Sequence, residues 1–356
     1  VMGGTAIEGK FVNLTLTDCI VTATASETSY VMNNNGATSL GFAVVITDNT
    51  TLATGKTPEP KGTIIITGDE GNYKGVVGLG NLASVKESYS DFVDASYAVS
   101  GGTFSSAIGE DYCAEGFIPT ENEDGTFGVK VGKYVAQYTY KKVTYKFETL
   151  QEAINAAVDY SSQIVLKALG DIEITETIAY AKTKSASVLL DLGGYTLTAK
   201  GCTAIQVHKG NLYVENGTIT AVDLDKNSAV IRVGSDDTAY AGSNPLLNIG
   251  KGTVVSAPES YGILVYGSAT KGGKLTVGST GIVEATGSKP AIAGKSDEVY
   301  NTGNTTIAIT GTAKVIAANS YAIYHPQAGT LDIQRNATIE GLGGIQMSAG
   351  TLNVLG

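Results

Sequence analysis

Few side chains in this sequence of 356 residues are spaced to act together, and its tyrosines come nearest. Tyr261 and Tyr321 stand just before two short phrases, Gly262-Ile263 and Ala322-Ile323, while Tyr266 and Tyr324 fall within or just after them. If these phrases stack in register, some of the rings line one flank. Aromatic faces beside Asn, Asp and Gln can hold a sugar or a protein side chain there. These four tyrosines are the candidate ligand-binding residues. The competing reading is ordinary packing, because tyrosine suits any β surface and the intervening copy carries Pro290 instead. The absence of tryptophan also weakens a sugar platform.

Other chemistry is thinner. The two histidines, His208 and His325, sit near equivalent points of repeats four steps apart, which at about 4.8 Å per step is about 19 Å. They cannot share a metal and read as structural or surface residues. Asp236-Asp237 is the one echo of a carboxylate pair, but adjacent strand residues point to opposite faces, so the pair reads as a turn. The run Asp223-Leu224-Asp225-Lys226-Asn227 opens like a calcium loop, then puts Ser228 where glycine is needed and Gly234 where the bidentate glutamate belongs. It reads as a polar turn between repeats. No catalytic residue, metal ligand or cofactor is assigned.

Composition bounds the partners. Charged residues make up 16% of the chain and the formal net charge is −10, so a positive track for nucleic acid is missing. Acidity also disfavours an anionic membrane surface, and no 18-residue apolar run offers a membrane-spanning segment. Cys19, Cys113 and Cys202 are odd in number and widely spaced, which fits buried small side chains better than a disulfide framework.

The elements that must position any site follow from a repeated phrase. Ala204-Ile205-Gln206-Val207-His208 leads through a Gly turn into Leu212-Tyr213-Val214, and similar phrases begin at Ala229, Gly262, Ala291, Ala322 and Gly344. Their spacings of 25, 33, 29, 31 and 22 residues are those of a solenoid whose turns vary in length. Thr, Val, Ile and Tyr dominate these stretches, as a pleated surface requires. The fold class is therefore all-β, a right-handed parallel β-helix in two segments joined by a hairpin connector, with a short capping helix. A left-handed hexapeptide helix would need a strict six-residue period, and the sequence has none.

Residues 1–104 read as the C-terminal coils of a first β-helix, with strands at Phe11–Leu16, Phe42–Ile46 and Thr63–Thr67. Residues 105–148 read as the connector, with a type I′ hairpin turn at Asp124-Gly125 and a second hairpin around Lys141-Lys142. Residues 149–356 read as a second β-helix cut before its end, of about seven coils. It opens on a helix near 150–158 that covers the first coil, with Thr149 and Glu152 at capping-box spacing.

The runs Ser100-Gly101-Gly102-Thr103-Phe104, Tyr112-Cys113-Ala114-Glu115-Gly116-Phe117 and Asp124-Gly125-Thr126-Phe127-Gly128-Val129, with Tyr145 to Ala157 after them, resemble a segment of large extracellular proteins of gut-dwelling Gram-positive bacteria. There such segments separate successive parallel β-helices of the pectin-lyase-like type, in secreted, adhesin-like cell-surface proteins. The resemblance implies an extracellular or cell-surface location in a group mostly without an assigned activity, so a non-catalytic module is expected. Because the inward ladders hold the stack together and change is cheapest in the outer turns, those near 234–244, 267–273 and 294–304 are where a glycan or host surface protein is expected to bind. The alternative is a polysaccharide lyase or glycoside hydrolase on the same scaffold. Against it, the only arginines are Arg232 and Arg335, and the Gly-His-Gly and Arg-x-Lys segments of the galacturonan hydrolases are missing.

Overall fold

The structure, a computed structural model, describes residues 1–10, 13–33, 36–47, 63–79, 96–183, 185–235, 238–240, 243–267, 272–295 and 304–355. Two compact units divide the chain, residues 1–133 and 134–356.

In the second unit each coil contributes one strand to each of three parallel sheets. The first coil supplies Ile164–Ala168, Ile172–Ile174 and Ile178–Ala181, and the seventh supplies Gly329–Ile333, Thr338–Gly341 and Ile345–Met347. The second and third faces are therefore seven strands deep. Side chains alternate inward and outward along each strand, and the parallel register stacks like upon like. On the third face Ile178, Ile205, Ile231, Ile263, Ile292, Ile323 and Ile345 form one unbroken inward ladder. The first face carries a matching ladder from Ile164 through Val188, Leu212, Leu247, Leu275, Ile307 and Leu331 to Leu352. These ladders meet in one continuous core.

The repeated phrase has a geometric meaning. Its small residue is the corner at which the chain turns from the second face onto the third, and the isoleucine after it begins the ladder. At Gly262 an added Cβ would lie 2.5 Å from the Ala291 carbonyl oxygen, so the corner leaves no room. The copy at Ala229 is displaced by one residue from the sequence alignment: Ala229 pairs with Tyr261 and points outward, and Val230 holds the corner.

The first coil would expose three strand edges, and separate devices cover two of them. Ala136–Tyr140 lies antiparallel on the edge of Ile164–Ala168 and hairpins to Val143–Phe147. The turn between them holds Lys141 and Lys142 at φ 49° and 68°, both left-handed, as a type I′ turn demands. Helix α1, Leu150–Val158, then buries Leu150, Ala153, Ile154 and Ala157 over the core. Its start has both halves of the capping box, Glu152 N–H to Thr149 Oγ1 at 3.2 Å and Thr149 N–H to Glu152 Oε2 at 3.2 Å. The Gln151 amide acts as a surrogate strand on the third face. Its Oε1 accepts from Ala179 N–H at 2.7 Å and its Nε2 donates to Ala179 O at 3.1 Å. Buried Lys182 ties down the far end of α1, donating to the carbonyls of Val158 and Tyr160.

The first unit is built the same way. Three described coils run Ile7–Lys10, Leu14–Thr17, Ile20–Ala23; then Phe42–Thr47, Thr63–Thr67, Asn72–Lys74; then Val76–Leu79, Ser96–Val99, Thr103–Phe104. Phe11 and Val12 of the expected first strand lie outside the described residues. Val21, Tyr73 and Phe104 form an inward column, with the two rings stacked at 5.0 Å. The hairpin of Phe117–Glu121 and Phe127–Val131 closes this stack, lying antiparallel on Thr103–Phe104. Its turn is not type I′: Gly125 alone has positive φ, 80°, and Asn122 N–H reaches Thr126 O around a three-residue loop. Asp124 instead uses its carboxylate to accept from the Thr126 N–H and hydroxyl, a contact that lowers its proton affinity.

Two substitutions test the ladder and its cover. Ile263→Ala is expected to destabilise the second unit by about 2–5 kcal/mol, as large-to-small core changes do. Gln151→Ala is expected to remove about 0.5–1.5 kcal/mol, the net worth of an ordinary hydrogen bond, because water reaches the exposed Ala179 edge. Urea denaturation reads both; an unchanged midpoint for Ile263→Ala contradicts the ladder.

Candidate functional site

The seven strands of the third face read IAYA, IQVHK, AVIRV, YGILVY, IAGK, IYH and IQM, without one carboxylate. The other two faces each carry several, among them Asp191, Glu215 and Asp332 on the first and Glu173, Glu284 and Glu340 on the second. In a chain of net charge −10, this sheet instead presents Lys209, Arg232 and Lys295.

Its outer side holds a small apolar floor. Leu264, Tyr266, Ala229 and Ala293 point away from the core yet are buried, and Tyr261 and Tyr324 pack against them. Cations lie over the rings: Lys289 Nζ is 5.0 Å from the Tyr261 ring centre, and Lys295 Nζ is 5.0 Å from that of Tyr266. Such contacts are worth about 0.5–1 kcal/mol each at exposed sites and fix the ammonium positions. One coil earlier, Arg232 pairs with Leu264 and donates to the Ser228 hydroxyl, which lies 3.3 Å from Thr203 Oγ1. The Arg232 Nε is buried without a hydrogen-bond partner. Gln206 donates to Gly234 O, and His208 stacks on Tyr240 with ring centres 4.1 Å apart.

The four tyrosines singled out in the sequence thus part company. Tyr261, Tyr266 and Tyr324 share the outer cluster, with Tyr266 only 8% exposed as its floor. Tyr321 is 38% exposed and sits apart at a corner, against Gly343. Sequence reasoning missed Arg232, Lys289, Lys295 and Leu264; the signal was the missing Asp and Glu in every third-face strand.

The two histidines occupy opposite sides of the same sheet. Val207 fills the inward position two residues beyond Ile205, so His208 faces out; His325 is two residues beyond Ile323 and is fully buried. A one-residue offset reverses a strand side chain.

The calcium-like run holds a cation of its own. Asp225 Oδ1 accepts from Asn227 N–H at 2.7 Å, and Lys289 Nζ donates to Asn227 Oδ1 at 3.1 Å, so an ammonium occupies the third would-be ligand. A cavity of about 180 Å³ opens beside it, with Asp223 and Glu259 in its lining. Among the described residues, no three His, Cys, Asp or Glu side chains are grouped to hold a metal ion. Asp236 and Asp237 lie outside the described residues, as do most of the positions in the three long turns. The cysteines are half-buried rather than buried, and all three are free. Burial raises the thiol pKa of Cys113 and Cys202, away from nucleophilic character.

The two classes of tyrosine separate by stability. Tyr266→Ala is expected to lower stability by about 2–4 kcal/mol, in line with buried aromatic truncations, and Tyr321→Ala by less than about 1 kcal/mol. Equal losses in chemical denaturation would contradict the division. No protein-family model, curated protein or solved structure matches the chain.

Proposed function

We propose that this chain is a non-catalytic, adhesin-like module of an extracellular or cell-surface protein that binds an acidic glycan on the outer side of its third face. The carrying observation is the segregation of charge: every strand of that sheet lacks a carboxylate, and Arg232, Lys289 and Lys295 flank a floor of tyrosine and leucine. Ring faces suit the C–H faces of sugars, and the cations suit carboxylate or sulfate groups. The ladder behind the face is rigid, so little ordering is needed on binding.

The likeness of residues 100–157 to segments of Gram-positive surface proteins supports the location and the pectin-lyase-like style of the helix. Right-handed winding is supported by the repeat lengths. The coils recur at 25, 33, 29, 31 and 22 residues, and this variable length suits a right-handed parallel β-helix, whereas a left-handed hexapeptide helix keeps a strict six-residue period.

A glycan array screened with and without calcium, with a reducing-end assay on the hits, tests this reading. Acidic glycans are expected to be retained, less so as salt rises through the range where the Debye length falls from about 10 Å to 3 Å. Lys289→Ala is expected to weaken retention by about twofold to fivefold, the worth of one exposed cation contact. Release of reducing ends contradicts the non-catalytic role. Binding confined to neutral glycans or to a host protein contradicts the acidic ligand.

A further inference from the structure

The fifth and sixth coils break the apolar rule of the interior. The inward column two residues past the isoleucine ladder runs Tyr180, Val207, Val233, Val265, and then meets Gly294. An added Cβ on Gly294 would collide with the Gln327 amide oxygen, so the glycine makes the space that this side chain fills. Gln327, His325 and Thr305 are all fully buried.

Their polar contacts reach across four coils. Gln327 Nε2 donates to Val265 O of the fourth coil at 3.0 Å and to Lys295 O of the fifth. Thr305 Oγ1 lies 3.4 Å from Gln327 Oε1 and 3.4 Å from His325 Nε2. His325 Nδ1 lies 3.2 Å from Ala349 O, beyond the last strand of the seventh coil. A carbonyl only accepts, so Nδ1 carries the proton and Nε2 is the free lone pair that takes the Thr305 hydroxyl.

We propose that His325 is the pin of an acid-released latch. Neutral, it is held between the Thr305 hydroxyl and the Ala349 carbonyl, joining the start of the sixth coil to the end of the seventh; protonated, it loosens residues 305–354 while the first coils stay folded.

The hydrogen bonds themselves survive protonation. Nε2–H donates to Thr305 Oγ1, and that hydroxyl turns to Gln327 Oε1 or to Ala328 O at 3.5 Å. What fails is charge compensation. The elements packed against His325 are the strands Ile292–Lys295, Thr305–Ile309, Gly329–Ile333 and Ile345–Met347. Their ionisable side chains point outward: Lys295 lies over Tyr266, and Asp332 accepts from Asn353. Tyr324, the neighbour on its own strand, packs in the outer cluster. Among the described residues no carboxylate faces an imidazolium here, and a buried charge without a counter-ion is the costly case.

The sign follows from linkage. Burial lowers the His325 pKa below the usual 6.5, so the unfolded segment takes up a proton first as the pH falls. Stability is complete above about 6.5 and declines below it, with the opening constant rising about tenfold per pH unit until the folded imidazole itself protonates. Opening stays local because the coils of a solenoid pack mainly on their neighbours, and the longest tie of this segment, Gln327 to Val265 O, reaches no further than the fourth coil.

With two histidines in the chain, NMR titration resolves each imidazole. His325 is expected to titrate below 6.5; titration at or above that value overturns the proposal. Hydrogen exchange at pH 7.5 and 5.0, corrected for intrinsic rates, is expected to show lost protection over 305–354 and none over 164–209. His325→Val, the residue of that column in earlier coils, and His325→Gln, polar but uncharged, are each expected to abolish the acid response. Should the valine variant not fold, the glutamine variant decides. An equal acid response in a folded variant, or none in the unaltered chain, overturns the latch.

Discussion

Everything in the second unit depends on parallel register. Because each coil returns to the same height beside its predecessor, seven isoleucines stand in one file on the third face. Identical branched side chains pack edge to edge at the strand spacing of about 4.8 Å, and each rung is buried by the rungs on either side. Corners obey the same constraint. Small residues predominate where the chain turns against the coil below, so Ala204, Gly262, Ala291 and Ala322 recur beside the file, with Val230 holding the one larger corner among them. Outward positions are released from it, so charge can be sorted by face without disturbing the stack.

A register that propagates must also be stopped. A parallel stack ends in unpaired backbone, a ready template for another chain. Each unit answers with an antiparallel hairpin laid on a sheet edge, and the outer strands of those hairpins resist further pairing. Phe117–Glu121 contains Pro119, which lacks a backbone donor, and Val143–Phe147 is flanked by Lys141 and Lys142 and contains Lys146. The left-handed backbone of two lysines costs about 1–2 kcal/mol per residue. The hairpin nevertheless fits, because its strands are held by the sheet on one side and by stacked rings of Tyr138, Tyr145 and Phe147 on the other.

The solenoid, helix α1 and the capping box were legible because each rests on local pattern: a recurring phrase, an apolar stripe, and Thr149 three residues before Glu152. Turn type was not. Asp-Gly suggests a type I′ turn, yet Asp124 bonds its own neighbours and shifts the loop to three residues, while the true type I′ turn falls on two lysines that no propensity favours. Orientation was legible only where register could be counted from a strong ladder. Ala229 and His208 both slipped by one position, and in a strand that slip exchanges core for surface. The site was partly visible, as tyrosines; its cations were hidden because Lys289 lies in a turn and because a missing residue type leaves no motif.

The direction of the ladder bonds has a mechanical consequence. Backbone hydrogen bonds between coils run along the stack axis, so tension along that axis loads the coils in series and detaches them one at a time at low force. Tension across the axis loads the strands of a sheet together and meets far greater resistance. The Gln327 amide, which grips carbonyls two and one coils below its own, makes one stretch of this series yield as a block. Under axial pulling the second unit should therefore lengthen in single-coil steps interrupted by one larger step, as a graded tether does.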